Sequence, residues 1–220
     1  MRNYFKYFIY LYVFIGYSLS NAGSYDDFFK AIHFDRVEDI HKLVLRGFDP
    51  NTPNEKGVPA LMLAIQSGAP KSAMYLASQA QTRVEFANVA GETPLMLAAI
   101  SNQLDLASKL IERGAEVNRK GWAPLHYAAS KGHIAMMRLL LENNAYIDAE
   151  SPNGTTPLMM AAYYAPPLAV KLLLEEGADP TLRNQAQASA LDLALSADHA
   201  QSAFYLRAFI ESWEIQQNGE

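Results

Sequence analysis

At 220 residues, half of them apolar, the chain is long enough to bury a sizeable core. It contains no cysteine, which excludes a disulfide framework and any thiolate metal ligand. Its net charge of −5 comes without a basic block, which argues against nucleic acid or an anionic membrane surface as partner.

Residues 1–22 differ from the rest. Arg2 and Lys6 supply a positive start, Tyr7 to Leu19 form an unusually aromatic apolar run, and Ser20-Asn21-Ala22 place small residues before a cleavage point. This predicts a secretory signal peptide cut after Ala22. The run is short for a transmembrane helix, which needs roughly 20 apolar residues. The alternative is an uncleaved anchor that tethers an envelope organiser to the membrane. No cysteine follows the cleavage point to carry a lipid, and loss of Arg2 and Lys6 moves the charge from −5 to −7.

From Tyr25 to Gly47 the sequence predicts two short amphipathic helices. Phe28, Phe29 and Ile32 line the first, and Val37, Ile40, Leu43 and Val44 the second; the opposite sides are charged. An outermost unit with one polar side is what the end of a stacked array requires. Turn formers follow from Phe48 to Gly57.

A unit then recurs, with starts at 57, 91, 121, 154 and 187, giving steps of 34, 30, 33 and 33. A fixed period of this size marks stacked repeats. Each unit opens with Gly, or with Gln187 in the last, at a tight turn. Thr93, Thr156 and Ser189 supply N-cap hydroxyls, and Pro94, Pro124 and Pro157 sit at the first helical position. Ala pairs at 98–99, 128–129 and 161–162 allow close helix approach. A second, Leu-rich helix stops at Gly47, Gly114, Asn144 or Gly177, residues suited to a left-handed C-cap.

The run Gly121-Trp122-Ala123-Pro124-Leu125-His126-Tyr127-Ala128-Ala129, followed by ends such as Gly114-Ala115-Glu116-Val117-Asn118, resembles the ankyrin repeat. The resemblance runs from about Asp26 to Trp213. It implies an all-α ankyrin-repeat solenoid of about six helix-turn-helix units with short β-hairpin-like fingers. The expected repeats are residues 25–56, 57–90, 91–120, 121–153, 154–186 and 187–213, with a polar, frayed tail at 214–220. Met62, Met96 and Met159 replace the box histidine, the turn Asn118-Arg119-Lys120-Gly121 is about three residues short, and the connection from Gln79 to Asn88 is longer and lacks its Gly. In the last repeat, Phe204, Leu206, Phe209, Ile210 and Trp213 are expected to close the core.

No catalytic constellation is visible. The five histidines lack metal-ligand spacing, and His126 and His133 are expected to bond backbone. Met62, Met74, Met96, Met136, Met137, Met159 and Met160 offer soft ligands for Cu(I), but their repeat positions point to core packing. The resemblance places binding on the finger tips and the exposed side of the first helices, which form a concave face. The matching residues are Asn88, Val89 and Glu92; Arg119, Lys120, Trp122, Ser130 and Lys131; and Asn153, Thr155, Tyr163 and Tyr164. Trp122, Tyr163 and Tyr164 are the strongest candidates, because aromatic residues dominate interface hot spots. The expectation is therefore a monomeric, non-enzymatic scaffold that binds a protein and needs no cofactor or metal. It resembles small ankyrin proteins that bacteria export to the periplasm; secretion from the cell is the second choice. A small-molecule or metal binder is the weaker alternative.

Overall fold

The computed structural model describes the backbone of residues 23–218 and the side chains through Ser212. The predicted signal segment and the side chain of Trp213 lie outside the described residues. Contacts divide the chain into two compact units, one ending at Arg83 and the other beginning at Val84.

The first unit holds two helix pairs: α1 (residues 23–33) with α2 (Val37–Leu45), and α3 (Ala60–Gln66) with α4 (Pro70–Ser78). Phe28, Ile32, Ile40, Leu61, Met62 and Leu76 are fully enclosed between them. Each large apolar side chain so buried contributes on the order of 1.5–3 kcal/mol. Helix α4 has Ala69 before it and no side-chain cap of its own. Asp35, in the α1–α2 turn, supplies one: its carboxylate accepts the Ser72 N–H at 2.7 Å and the Lys71 N–H at 3.3 Å. Burial works to raise the Asp35 pKa, but these amides outweigh it and hold the carboxyl below its ordinary range.

The second unit holds four pairs: α5 (Pro94–Ile100) with α6 (Leu104–Glu112), α7 (Pro124–Lys131) with α8 (Ile134–Glu142), α9 (Pro157–Tyr164) with α10 (Pro167–Glu175), and α11 (Ala190–Ser196) with α12 (Ala200–Asn218). The first helices α5, α7, α9 and α11 pack side by side in one layer, and the second helices form the layer behind. Thr93, Thr156 and Ser189 cap α5, α9 and α11, each accepting the amide three residues on at 3.2–3.3 Å. Ala98, Ala99, Ala128, Ala129, Ala161 and Ala162 are fully buried, which is what lets the first helices approach closely. Met62, Met96, Met136, Met137 and Met159 are likewise enclosed in core. The all-α class and the stacked helix-turn-helix units are those expected from the sequence.

Polar side chains tie successive repeats together. In the first unit, Asn51 accepts the Arg83 N–H and donates to the Gln81 carbonyl, both at 2.8 Å. In the second, Glu85 accepts the Glu116 N–H at 3.0 Å and Asn118 accepts the Tyr146 N–H at 2.7 Å. Asp148 accepts the Asp179 N–H at 3.2 Å. His133 and His199 each donate to a carbonyl of the preceding repeat, Ile100 at 3.1 Å and Ala162 at 3.0 Å.

The fingers are built around an Asx turn. The side-chain oxygens of Asn54, Asn88 and Asn184 each accept the amides two and four residues on, and a backbone bond closes each turn. The residue three after each Asn has positive φ: Gly57 (75°), Gly91 (81°) and, in the last finger, Gln187 (59°). Of these three turns, only the last places a side chain in the left-handed conformation. Gln187→Gly is therefore expected to stabilise the protein by about 0.5–1 kcal/mol, read as a higher midpoint in urea unfolding. An unchanged midpoint would mean the finger tolerates Gln187 without cost.

Two expectations differ from what is observed. Phe204 does not close the core: it is 66% exposed, because Ala203 and Leu206 take the inward face of α12. And α12 continues to Asn218, past the expected repeat end at Trp213, with no Gly, Pro or capping residue to stop it before then.

Candidate protein-binding groove

The groove begins with α7. Its N-terminus has no hydroxyl cap, since Ala123 stands where Thr or Ser stands in the neighbouring repeats. His126 does that work from within the helix: its Nδ1 accepts the Ala123 N–H at 3.2 Å and its Nε2–H donates to the Thr155 carbonyl at 2.9 Å. The ring is fully buried. Burial lowers its pKa, and its backbone bonds only partly offset this, so the neutral form is the native one. The Trp122 ring packs edge-on against His126, with centroids 5.3 Å apart, and against Tyr127 at 6.4 Å. Burial raises the Tyr127 pKa, and the Glu92 charge adds to it.

Next along the layer, Tyr163 and Tyr164 end α9 as a T-shaped pair with centroids 4.6 Å apart. Trp122, Asn153, Tyr163 and Tyr164 line one cavity of about 240 Å³, with Thr155, Met159, Met160, Asn184 and Leu193 completing its wall. The structure thus brings five of the predicted residues, Trp122, Asn153, Thr155, Tyr163 and Tyr164, together from two neighbouring repeats, and Leu193 adds a third. Trp122 is 36% exposed, Tyr163 40% and Tyr164 61%, so core packing does not account for them. Tyr164 also borders a second cleft, of about 410 Å³, beside Pro166, Pro167 and His199.

Other predicted residues lie elsewhere. Arg119 pairs with Glu85 at 3.3 Å. Asn88 spends its oxygen on its own turn and its NH₂ on Glu92 at 2.9 Å, which engages Glu92 as well. Lys120 and Lys131 are exposed, as is Val89. Sequence reasoning did not assign Met159, Met160, Asn184 or Leu193 to the groove; it read the two methionines as core. The signal for Asn184 was available: it stands three residues before Gln187, as Asn54 and Asn88 stand three before Gly57 and Gly91.

Paired helices repeated at about 33 residues, with a groove across the first helices, define a stacked helical repeat array. The family model for ankyrin repeats (3 copies) matches residues 28–121 and 117–184, and the chain belongs to the ankyrin-repeat family. It is 31% identical over 146 residues to ankyrin repeat and SAM domain-containing protein 6 of Rattus norvegicus, covering 66% of this chain and 13% of that protein. It is 32% identical over 145 residues to the nuclear factor NF-kappa-B p105 subunit of Mus musculus, covering 63% and 15%. With neurogenic locus notch homolog protein 1 of Mus musculus the identity is 34% over 134 residues, covering 59% and 5%. The chain therefore spans only a small part of the length of these relatives. Among the described residues, no group of three or more His, Asp or Glu side chains is placed to hold a metal ion, and no helix is long and apolar enough to cross a membrane.

Proposed function

We propose that this protein is a non-enzymatic scaffold that binds a partner protein through the groove of its second unit. The observation that carries this reading is the exposed aromatic set Trp122, Tyr163 and Tyr164 lining one cavity. Aromatic side chains held on rigid helices offer large contact area at low entropic cost, which is what a binding hot spot needs. We further propose that residues 1–22 direct export to the periplasm and are removed, which the mass of the mature protein tests: a chain starting at Gly23 supports this, and an intact chain favours a tethered organiser.

The binding reading is tested by affinity capture from envelope extract, with the wild type and a Trp122→Ala/Tyr163→Ala/Tyr164→Ala variant as baits. A partner held by the first and lost by the second is the expected result. The melting temperature should stay within a few degrees, because these side chains are exposed. Equal capture by both baits would remove the groove from the interaction.

A further inference from the structure

A separate cavity, of about 330 Å³, opens between α1 and α2 in the first unit. Asp27, Lys30 and Phe34 line it from α1 and the turn that follows, and Arg36, Asp39, Lys42, Leu43 and Arg46 line it from α2 and its two ends. On each side the positions recur every three or four residues, the spacing of one helix face. The sequence has no basic block here. Folding nevertheless gathers four cations against two carboxylates, in a chain whose net charge is −5.

How those charges are used decides what the cavity can hold. Lys42 pairs with Asp39 at 3.6 Å. Among the described residues, Lys30, Arg36 and Arg46 have no carboxylate within ion-pair distance. The Arg36 guanidinium lies 5.1 Å over the centre of the Phe34 ring, a contact that spends none of its N–H donors. The ring itself is 60% exposed. Three cations around an exposed ring are the complement of several carboxylates with an apolar side chain among them.

Other occupants fit less well. All three cations are exposed, and a single exposed ion pair is screened and weak, so one small anion gains little. A nucleic-acid backbone would meet Asp27 and Asp39 in the same wall. Residues 1–22 contain no Asp or Glu. In a second copy of the chain, the adjacent Glu175 and Glu176 are already engaged by Lys171 and Arg138.

We propose that this cavity is a docking site for an acidic segment of a partner protein. Its carboxylates meet Lys30, Arg36 and Arg46, and an apolar side chain between them covers Phe34. The site shares no residue with the groove of the second unit and does not depend on how that groove is read.

The test is an anisotropy titration of the full chain with a fluorescein-labelled peptide of repeated Glu-Glu-Leu, against the same peptide with Gln for each Glu. The acidic peptide is expected to bind at least about tenfold more tightly, and to lose affinity as salt rises. Arg36→Gln/Arg46→Gln should weaken it about tenfold or more without lowering the melting temperature, because both side chains are exposed. Asp27→Asn removes a repelling charge and should tighten it, a gain that misfolding cannot produce. Lys56→Gln/Arg207→Gln takes the same charge from elsewhere and should change little. No binding, equal binding of the two peptides, equal loss in the Lys56/Arg207 variant, or no tightening by Asp27→Asn would overturn the proposal. So would displacement by inorganic phosphate but not by chloride at equal ionic strength, or a dimer of the chain that Arg36→Gln/Arg46→Gln dissolves. Loss of the peptide in the Trp122/Tyr163/Tyr164 triple alanine variant would place it in the groove instead. If the acidic peptide fails while that variant still loses its captured partner, this site falls and the scaffold reading stands.

Discussion

His126→Ala is expected to destabilise the second unit by about 3–5 kcal/mol, read as a lowered midpoint in denaturant unfolding followed by circular dichroism. The substitution empties a fully buried volume at the start of α7. It also leaves the Ala123 N–H without its partner, a buried orphan that costs about 1–3 kcal/mol, and strips one of two hydrogen bonds from the Thr155 carbonyl, which keeps the Ser151 N–H. His126→Gln keeps a polar side chain but does not titrate, so it isolates the pH dependence. The sign follows from the native tautomer. Nδ1 accepts a hydrogen bond and must carry no proton, and burial depresses the folded pKa below the ordinary 6.5. The unfolded chain therefore binds the proton first. The stabilisation from neutral His126 is fully present above pH 6.5 and is lost as pH falls through the depressed folded value. The wild type should lose stability on acidification relative to His126→Gln over that window. Parallel stability profiles for the two proteins would contradict this account.

Gly132→Ala is the second large effect, expected at about 2–4 kcal/mol. Gly132 ends α7 at φ +65°, where a side chain costs about 1–2 kcal/mol. A Cβ there would also lie 2.8 Å from Cδ of Pro166, a ring atom that cannot swing away. Overpacking of this kind costs about 1–3 kcal/mol. The two causes separate in a double-mutant cycle. Pro166→Ala should relieve the contact and recover its share, leaving the backbone strain. Strict additivity of the two substitutions would show that the contact contributes nothing. The same closeness bears on function, since Pro166 lies two residues after Tyr164, the end of α9.

Local chemistry was legible in the sequence wherever cause and effect lie within one repeat. Thr93, Thr156 and Ser189 cap the helices they precede, and the box prolines open theirs. Trp122 and the tyrosine pair stood out because the resemblance to the ankyrin repeat places their positions at the finger and on the exposed side of the first helices, where the fold does not demand a ring. What was not legible depends on partners about one repeat away. Arg119 reads as a free cation until Glu85, 34 residues earlier, is placed beside it. Asn88 reads as a contact residue until its amide is seen closing its own turn. Phe204 failed for a related reason. Helical spacing sets which residues share a face, not which face turns inward, and α12 is the last helix of the second unit.

The side chains that reach from one repeat into the next have a consequence for how the second unit comes apart. In a linear array, stability is a sum of terms intrinsic to each repeat and terms shared by neighbours. The amides of Glu116, Tyr146 and Asp179 sit in irregular backbone, yet each is held by a residue of the repeat before it. A repeat that unravels thus strips a bond from its neighbour as well as its own, which weights the shared terms and penalises partial fraying. The unit is accordingly expected to melt as one cooperative body, with coincident transitions by different probes. A ligand laid across α7, α9 and α11 meets a surface already assembled, so little of its binding energy is diverted into folding the site.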